Sequence, residues 1–431
     1  VAENKVIKKI TKANVKIYKN DAEDINYLEN KYNKMKQPYF TFHEAKVGDN
    51  LSKIAKQYNA DIKDVLKVNN TVFTNVDKID KGDLIIVPNK KLDYEPIKTY
   101  NTNLKNFSRQ LQTTYDKFTD TLTLRGRYNK VNLLDLAKNN PNHFKISKDS
   151  IHLLSNLHVG TGVTLNVSGN DTKWFKLKSD KTGHTSLTCD NGRIIIKDIK
   201  LTSWDINAND VDLNYDDGRS FIKCKNNSVL TIENSDIGYL GYKDKDTNKN
   251  STYGISYKIS NGFHGNYLST GYIRNSKIHH NYFGMYSFGA TGIEILNNQF
   301  FSNVVYGIDP HDDSNYFLVK NNEVWDNGDH GIIFSKRCLY NLVEGNRSYN
   351  NGLQGIMIHQ DSHSNMLVDN DVFNNSVGLS IYQSNRNIVF KNNIYKNLLR
   401  RLLHLIKNKY YSILSFVLIS LLFIKMKFIQ R

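Results

Sequence analysis

Apolar residues change their spacing along this chain, and each spacing predicts a different kind of element. From Thr41 an extended Thr41-Phe42-His43 leads through Lys46-Val47-Gly48-Asp49-Asn50 to Leu51, Ile54, Ala55 and Tyr58, which share one helical face. Asp49 or Asn50 is placed to cap that helix, because a short side-chain oxygen there satisfies an orphan backbone N–H. A second short helix is predicted around Asp61 to Asn69, and Gly82-Asp83-Leu84-Ile85-Ile86-Val87-Pro88 reads as a turn and a strand ended by proline. Residues 39–90 thus form a strand, helix, helix, strand module. Ahead of it, residues 1–38 are rich in Lys, Asn and Asp and are expected to be a tether, with one helix near Asp21-Ala-Glu-Asp-Ile-Asn-Tyr-Leu28. After it, in residues 91–145, Leu104, Phe107, Leu111, Tyr115 and Phe118 recur at helical spacing. That pattern predicts an amphipathic helix that caps the exposed strand edges of the next domain.

From Asn275 the chain repeats itself. Asn275-Ser-Lys-Ile-His-His-Asn281 returns as Asn297-Asn-Gln-Phe-Phe-Ser-Asn303, Asn321-Asn-Glu-Val-Trp-Asp-Asn327, Gly345-Asn-Arg-Ser-Tyr-Asn-Asn351, Asp369-Asn-Asp-Val-Phe-Asn-Asn375 and Lys391-Asn-Asn-Ile-Tyr-Lys-Asn397, with starts 22, 24, 24, 24 and 22 residues apart. Glycines at 284, 307, 331, 355 and 378, each followed by Met, Ile or Leu, advance in step with them. A period of this length without long helical patterns means a solenoid, and three short strands per repeat make a parallel β-helix. Weaker copies reach back to Gly162-Val-Thr-Leu165, so residues 146–397 are expected to wind about ten coils. Stacked Asn side chains at equivalent turns account for the abundance of Asn.

Strand alternation assigns faces to these coils. Ile308, Ile332, Ile356 and Leu379, and two positions on Pro310, Phe334, Ile358 and Ile381, point inward. The alternate positions point outward: Asp309, His311 and Asp313 on one coil, Ser335 and Arg337 on the next, then His359 and Asp361, then Tyr382. One surface strip is therefore expected to collect His311, Arg337, His359 and Tyr382. Pro310 is the sole proline after residue 141, and it falls in a strand that should be central. A proline there forfeits a ladder hydrogen bond, so a feature beside it, Asp309 or His311, is a candidate for function.

Composition narrows the partners. Among 431 residues, 58 Lys and Arg against 42 Asp and Glu give a net charge of +16, which suits a polyanion. No recognition helix or base-stacking module accompanies that charge, so nucleic acid is not the expected partner. Cys189, Cys224 and Cys338 are odd in number and far apart, which fits neither a disulfide scaffold nor a zinc ribbon. Residues 398–431 break the repeat with a Leu, Ile, Lys and Phe bias. Their uncharged run from Tyr410 to Ile424 is 15 residues, shorter than the ~20 of a spanning helix, so membrane contact by this tail stays open. No basic start and apolar core of a signal peptide opens the chain at Val1, and export is not read from that end.

Two stretches resemble known families. Val47, Gly48, Asp49, Ile54, Ala55, Tyr58, Asn69, Gly82, Leu84 and Pro88 follow the pattern of a LysM module. That resemblance implies binding to glycans that contain N-acetylglucosamine, such as peptidoglycan. Tyr306-Gly-Ile-Asp-Pro-His-Asp312, with His330-Gly-Ile-Ile-Phe-Ser-Lys-Arg337 after it, resembles the periplasmic mannuronan C5-epimerases, whose hallmark is Asp-Pro-His-Asp on a right-handed parallel β-helix. Leu201-Thr-Ser-Trp204, Tyr239-Leu-Gly-Tyr242 and Tyr253-Gly-Ile-Ser-Tyr257 are similar to further segments of that family. The resemblance implies that His311 removes the C5 proton of a mannuronate residue, that Arg337 neutralises its carboxylate, that a water returns a proton from the opposite face, and that Tyr306 and Asp309 share the site. Asp312, Lys336, His330, His359 and Tyr382 are then expected to line the substrate subsites. Position 313 departs from the family, being Asp where many relatives carry a basic residue.

The chemistry demands such a set. A proton α to a carboxylate is weakly acidic because its loss places a second negative charge beside the first, and a guanidinium stabilises that charge as it develops. Histidine accepts the proton near neutral pH. The expected protein is a mainly β, periplasmic or cell-wall-associated isomerase of polymannuronate. It uses no cofactor and no metal, since no calcium-binding Gly-Gly-x-Gly-x-Asp repeats occur. A lyase sharing the same carbanion and a non-catalytic cell-wall glycan-binding protein are the competing readings.

Overall fold

In the computed structural model, residues 22–72, 79–92, 110–243, 252–260, 267–398 and 403–405 are described. Their core is a parallel β-helix whose coils contribute strands to three sheets of ten, twelve and thirteen strands, stacked coil on coil. The ten-stranded sheet carries one strand per coil, so the expectation of about ten coils holds.

The seven-residue repeat has a simple mechanical meaning. In Asn297 to Asn303, Asn297 takes a left-handed φ of 58°, Asn298 is buried, Gln299–Phe301 is a strand, Ser302 is again left-handed at 53°, and Asn303 is buried. Each repeat is thus a three-residue strand between two corners, and each corner is a left-handed residue followed by an interior Asn. Asn tolerates that backbone better than most residues, and Gly345, with no Cβ, fills the same place two coils on. The interior Asn residues form ladders. Asn298, Asn322, Asn346, Asn370 and Asn392 are joined amide to amide at 2.9, 2.9, 3.0 and 2.7 Å. Asn303, Asn327, Asn351, Asn375 and Asn397 repeat this at the next corner, and Asn341, Asn365 and Asn387 do so at the third.

Between the corners, Ile308, Ile332, Ile356 and Leu379 and the row Pro310, Phe334, Ile358 and Ile381 face inward and are buried. Toward the N-terminal end the coils lengthen. Equivalent Asn191 and Asn227 stand 36 residues apart, and Leu268 follows Asn227 by 41.

The predicted helix from Leu104 to Phe118 is not formed in its described part. Leu104 and Phe107 lie outside the described residues, whereas Gln112–Asp116 and Thr121–Arg125 make an antiparallel hairpin whose second strand joins the twelve-stranded sheet. The winding of coils therefore begins near Thr121, inside the segment expected to be a connector. Helix Leu133–Asn139 covers the open end instead, burying Leu133, Leu136 and Ala137. Asn132 makes no side-chain cap, and the N-terminal N–H groups of Leu133 and Leu134 instead face the Asp171 carboxylate of the next coil, opposing the rise in its pKa that burial causes.

The LysM-like segment folds as strand Phe40–Glu44, helices Leu51–Gln57 and Ile62–Asn69, and strand Leu84–Pro88, with the two strands antiparallel. Asn50 and Asp61 cap the helices. The module packs on the ten-stranded sheet, where Tyr39, Phe40 and Ile86 share a core with Val229 and Leu268. Helix Ala22–Met35, read as part of a tether, also docks: Tyr32 and Met35 pack on Leu342, Met366 and Val368, and the Tyr32 hydroxyl donates to Glu344 at 2.8 Å. The expectations for the tail fall outside the described residues, apart from Leu403–Leu405, which pairs with strand Val377–Tyr382.

The ladders predict a position-specific loss. The Asn346 side chain accepts from the backbone and amide of Asn322 and donates to Val319 O and Asn370, all at 2.9–3.0 Å. Asn346→Ala should cost about 3–5 kcal/mol in a urea melt, because several buried groups lose partners together. Asn297→Ala, at the exposed left-handed position, should cost about 1–2 kcal/mol. Equal losses at the two sites would count against the ladder.

Candidate active site

Register decides which side chains meet on the twelve-stranded sheet. Coil by coil, Lys225, Lys258, Phe288, His311, Ser335, His359 and Tyr382 are direct neighbours. His311, His359 and Tyr382 therefore share one row, as the alternation implied. Arg337 does not lie on it. Its strand ends at Ser335, and Lys336 and Arg337 form a turn with left-handed φ of 62° and 61° above the matching turn of Asp312 and Asp313.

That turn nonetheless brings Arg337 to His311 through a shared carboxylate. His311 Nδ1 lies 2.5 Å from Asp312 Oδ2, and Arg337 Nη2 donates to Asp312 Oδ1 at 3.2 Å. Arg337 also holds Asp313, with Nε at 2.9 Å and Nη2 at 2.8 Å. The acidic residue at 313 thus anchors the guanidinium, which is still 53% exposed. Burial pushes the Asp312 carboxyl up, but the His311 hydrogen bond and the His311, Lys336 and Arg337 charges outweigh it and hold the group below its ordinary range. An ionised Asp312 accepts Nδ1–H and leaves Nε2 of a neutral His311 as the basic nitrogen. Two carboxylates in turn hold Arg337 above its usual value.

Asp309 is fully buried next to Pro310, and its Oδ1 has no hydrogen-bond partner. The ladder to the next coil pairs Ile308 with Ile332 and His311 with Ser335 but is interrupted between them, where the proline lacks its donor. Burial, then Asp312, raise the Asp309 pKa, and His311 and Lys336 only partly offset this, leaving it at about 7. Tyr306 stacks on His330 at 4.9 Å, and burial and Asp309 raise its pKa to about 12. His330 is buried, its pKa pushed down to about 4, so it packs as a neutral ring under Tyr306. His359 accepts or donates to Ser335 Oγ at 2.9 Å and stacks on Tyr382 at 5.6 Å, one and two coils from Ser335's strand.

Three groups were missed in the sequence. Tyr286, in register with Asp309, lies 5.8 Å from the His311 ring and stacks on Tyr253 at 3.7 Å. Lys258, 8% exposed, holds its ammonium 5.4 and 5.6 Å from those two rings, and burial followed by Lys223 and Lys225 lowers its pKa to about 8. Their only sequence signal was the Tyr253-Gly-Ile-Ser-Tyr257 segment, which stops one residue short of the lysine.

Comparison with known proteins matches both parts. Residues 43–88 fit the model of the LysM domain, and residues 214–411 fit a model described as periplasmic copper-binding protein (NosD). Among the described residues no three His, Cys, Asp or Glu side chains form a metal-ligand set. A mannuronan C5-epimerase of Pseudomonas fluorescens is 28% identical over 31% of this chain and 26% of its own length. Mannuronan C5-epimerase AlgG of Azotobacter vinelandii is 27% identical over 37% and 30%. The chain thus spans about a third or less of the curated relatives it matches. The crystal structure of the periplasmic alginate epimerase AlgG superposes with a TM-score of 0.60 at 21% identity, over 67% of this chain and 74% of that one.

The buried carboxyl gives a pH test. Asp309's folded pKa lies above the ordinary carboxylate value, so the native state binds the proton more tightly. Stability is then full below about pH 4 and lost as pH rises to about 7, by an amount on the order of 4 kcal/mol. Asp309→Asn should remove that loss, so thermal melts of variant and parent should diverge from pH 4 to 7 and run parallel above. A constant offset across that range would contradict the buried, unpaired carboxyl.

In sequence the chain is similar to mannuronan C5-epimerases over about a third of its length, and in fold it is similar to the periplasmic alginate epimerase AlgG, with a LysM module docked ahead of its parallel β-helix.

Proposed function

We propose that this protein is an isomerase that converts β-D-mannuronate to α-L-guluronate residues within polymannuronate. The observation that carries this is the His311–Asp312–Arg337 linkage on an open sheet face, with a base and a cation joined through one carboxylate. His311 Nε2 takes the C5 proton, and the imidazolium that forms is stabilised by Asp312, which already accepts Nδ1–H. Charge moves from the C5–H bond into the carboxylate, where Arg337 on one side and Lys258 on the other meet it. Arg337 serves in part by exchanging Asp313 for the uronate. A proton delivered to the opposite face, from water beside Tyr286 and Tyr306, completes the inversion without breaking the chain. Asp309 beneath His311 tunes the local charge, and Lys336, His330, His359 and Tyr382 support the neighbouring subsites.

The LysM module is assigned to glycans that contain N-acetylglucosamine, with peptidoglycan as the first choice. Such a pairing of glycan binding with polyuronate chemistry places the protein in the periplasm or at the cell wall. The segment 39–90 would hold the wall and residues from Thr121 onward the substrate.

In deuterated water the parent protein should introduce deuterium at C5 of polymannuronate and leave an unbroken polymer. His311→Ala, shown folded by circular dichroism, should do neither, since no carbanion forms. Arg337→Ala should raise KM and lower kcat together, and Arg337→Lys should recover only part, because an ammonium does not hold a carboxylate bidentately. The assignment is falsified if folded His311→Ala still exchanges C5 hydrogen at the parent rate. Unsaturated uronate ends in place of guluronate would mark a lyase. For the module, the full chain should sediment with insoluble peptidoglycan and be released by chitin oligomers but not by polymannuronate. Release by polymannuronate alone would remove the module from glycan retention.

A further inference from the structure

The thirteen-stranded sheet carries a second cluster on a face that the proposed chemistry does not use. Trp174 and Lys200 are register partners, as are Lys178 and Trp204, and Lys176 lies between them on the same strand as Trp174. The two indoles meet edge to face at 5.1 Å and 82°. Lys176 Nζ sits in that corner, 3.2 Å from the Trp204 ring centre and 4.4 Å from that of Trp174. Lys200 Nζ lies 3.9 Å from the same Trp174 ring. Trp174 itself is fixed by its Nε1–H, which donates to Thr202 Oγ1 at 3.0 Å.

Two ammonium groups sharing one indole repel each other, and among the described residues neither has a carboxylate within ion-pair distance. Asp236, the register partner of Lys200 on the next coil, is committed to His279 at 2.6 Å. Burial, then Lys200, depress the pKa of Lys176, and the Asp210 charge offsets this only in part. Cation–π attraction offsets part of this cost. It does not explain why two lysines converge on one ring, since a single one would cover the indole. A carboxylate bridging both ammoniums relieves the repulsion, and the part-exposed Trp174 indole, backed by the buried Trp204, suits the apolar face of a sugar ring.

We propose that Trp174, Lys176, Lys200 and Trp204 form an accessory site for a carboxylated polysaccharide, separate from the His311 face. The choice of polymannuronate as that polymer rests on the epimerase reading; the requirement for carboxylates rests on the two lysines alone. A chain held on one face of the rod is kept near the other, and the expected consequence is tighter retention of long polymer with unchanged chemistry on short oligomers.

The protein has three tryptophans, and two of them are in this cluster, so intrinsic fluorescence reports on it. The full chain carrying Trp325→Phe and His311→Ala leaves Trp174 and Trp204 as the only tryptophan emitters, excited selectively over tyrosine, and blocks turnover. Polymannuronate should change its fluorescence in a salt-sensitive way, and neutral dextran should not. Adding Lys176→Gln and Lys200→Gln should abolish that response and weaken polymer binding about tenfold at low salt, the size expected for two partly exposed ion pairs. Lys176→Arg with Lys200→Arg should restore it, which separates lost charge from lost folding. With His311 intact, the double Gln variant should still exchange C5 hydrogen in short oligomers at the parent rate. A folded double Gln variant with unchanged polymer affinity and fluorescence response overturns the site. So does a response to anionic phosphatidylglycerol vesicles with none to polymannuronate. A response in a protein that never exchanges C5 hydrogen would sink the epimerase reading and leave the accessory site standing.

Discussion

A buried asparagine is stabilising only where both ends of its amide are satisfied, and that requirement organises this molecule. Along the ladders the amide accepts from one coil and donates onward to the next, as Asn346 does with Asn322 and Asn370. The left-handed residue before it turns the chain, so corner and ladder come as a unit. Once coils are clamped at three corners, a one-residue slip would unpair an entire ladder and turn each strand inside out. The row in which Ser335 stands between His311 and His359 follows from that register.

The same rigidity sets the electrostatics of the site. Pro310 is tolerated because the corners on either side hold its strand in place, and the interrupted ladder leaves Asp309 buried with an oxygen unpaired. A carboxyl at about 7 beside a carboxylate held low is an arrangement of two acids with different protonation at one pH. On the proposed reading, that difference lets Asp312 act as a fixed acceptor for His311 while Asp309 responds to the charge above it. Arg337 is held by two carboxylates rather than left bare, which positions it before substrate arrives at the expense of some of its charge.

What the sequence could reveal depended on whether a pattern was local. Regular coils announced themselves through Asn spacing, and the inward rows from Ile308 to Ile381 followed from alternation. Asp309 and His311 were legible because Pro310 stood out among strand residues. Alternation misled at Arg337, since the strand had already ended and a turn carried the side chain. Leu111, Tyr115 and Phe118 kept helical spacing in a hairpin because tertiary pairing with the strand at Asn156–Val159 outweighs a weak local preference. Lys258 and the Trp174 cluster were hidden because the early coils vary in length: Lys225, Lys258 and Phe288 stand 33 and 30 residues apart and Trp174 and Lys200 stand 26 apart, so no fixed period shows.

The junction between module and rod was likewise invisible, and it bears on how the two proposed functions combine. Arg193, fully buried on the rod, donates to Leu84 O and, at 2.9 Å, to Asn69 Oδ1 in the module. Burial lowers its pKa to about 10, against the pull of Asp83, so it is still a cation at neutral pH and a buried one that needs those acceptors. Asn69 meanwhile bridges its own helix and strand through Val65 O and Ile86. One side chain thus braces the module internally and neutralises the cost of the arginine beneath it. Rotating the module on the rod would strand a buried guanidinium, a loss of about 3–5 kcal/mol when such a charge loses its partners. The module is therefore a fixed extension of the β-helix, and a glycan held by it would set the direction in which the His311 face is presented.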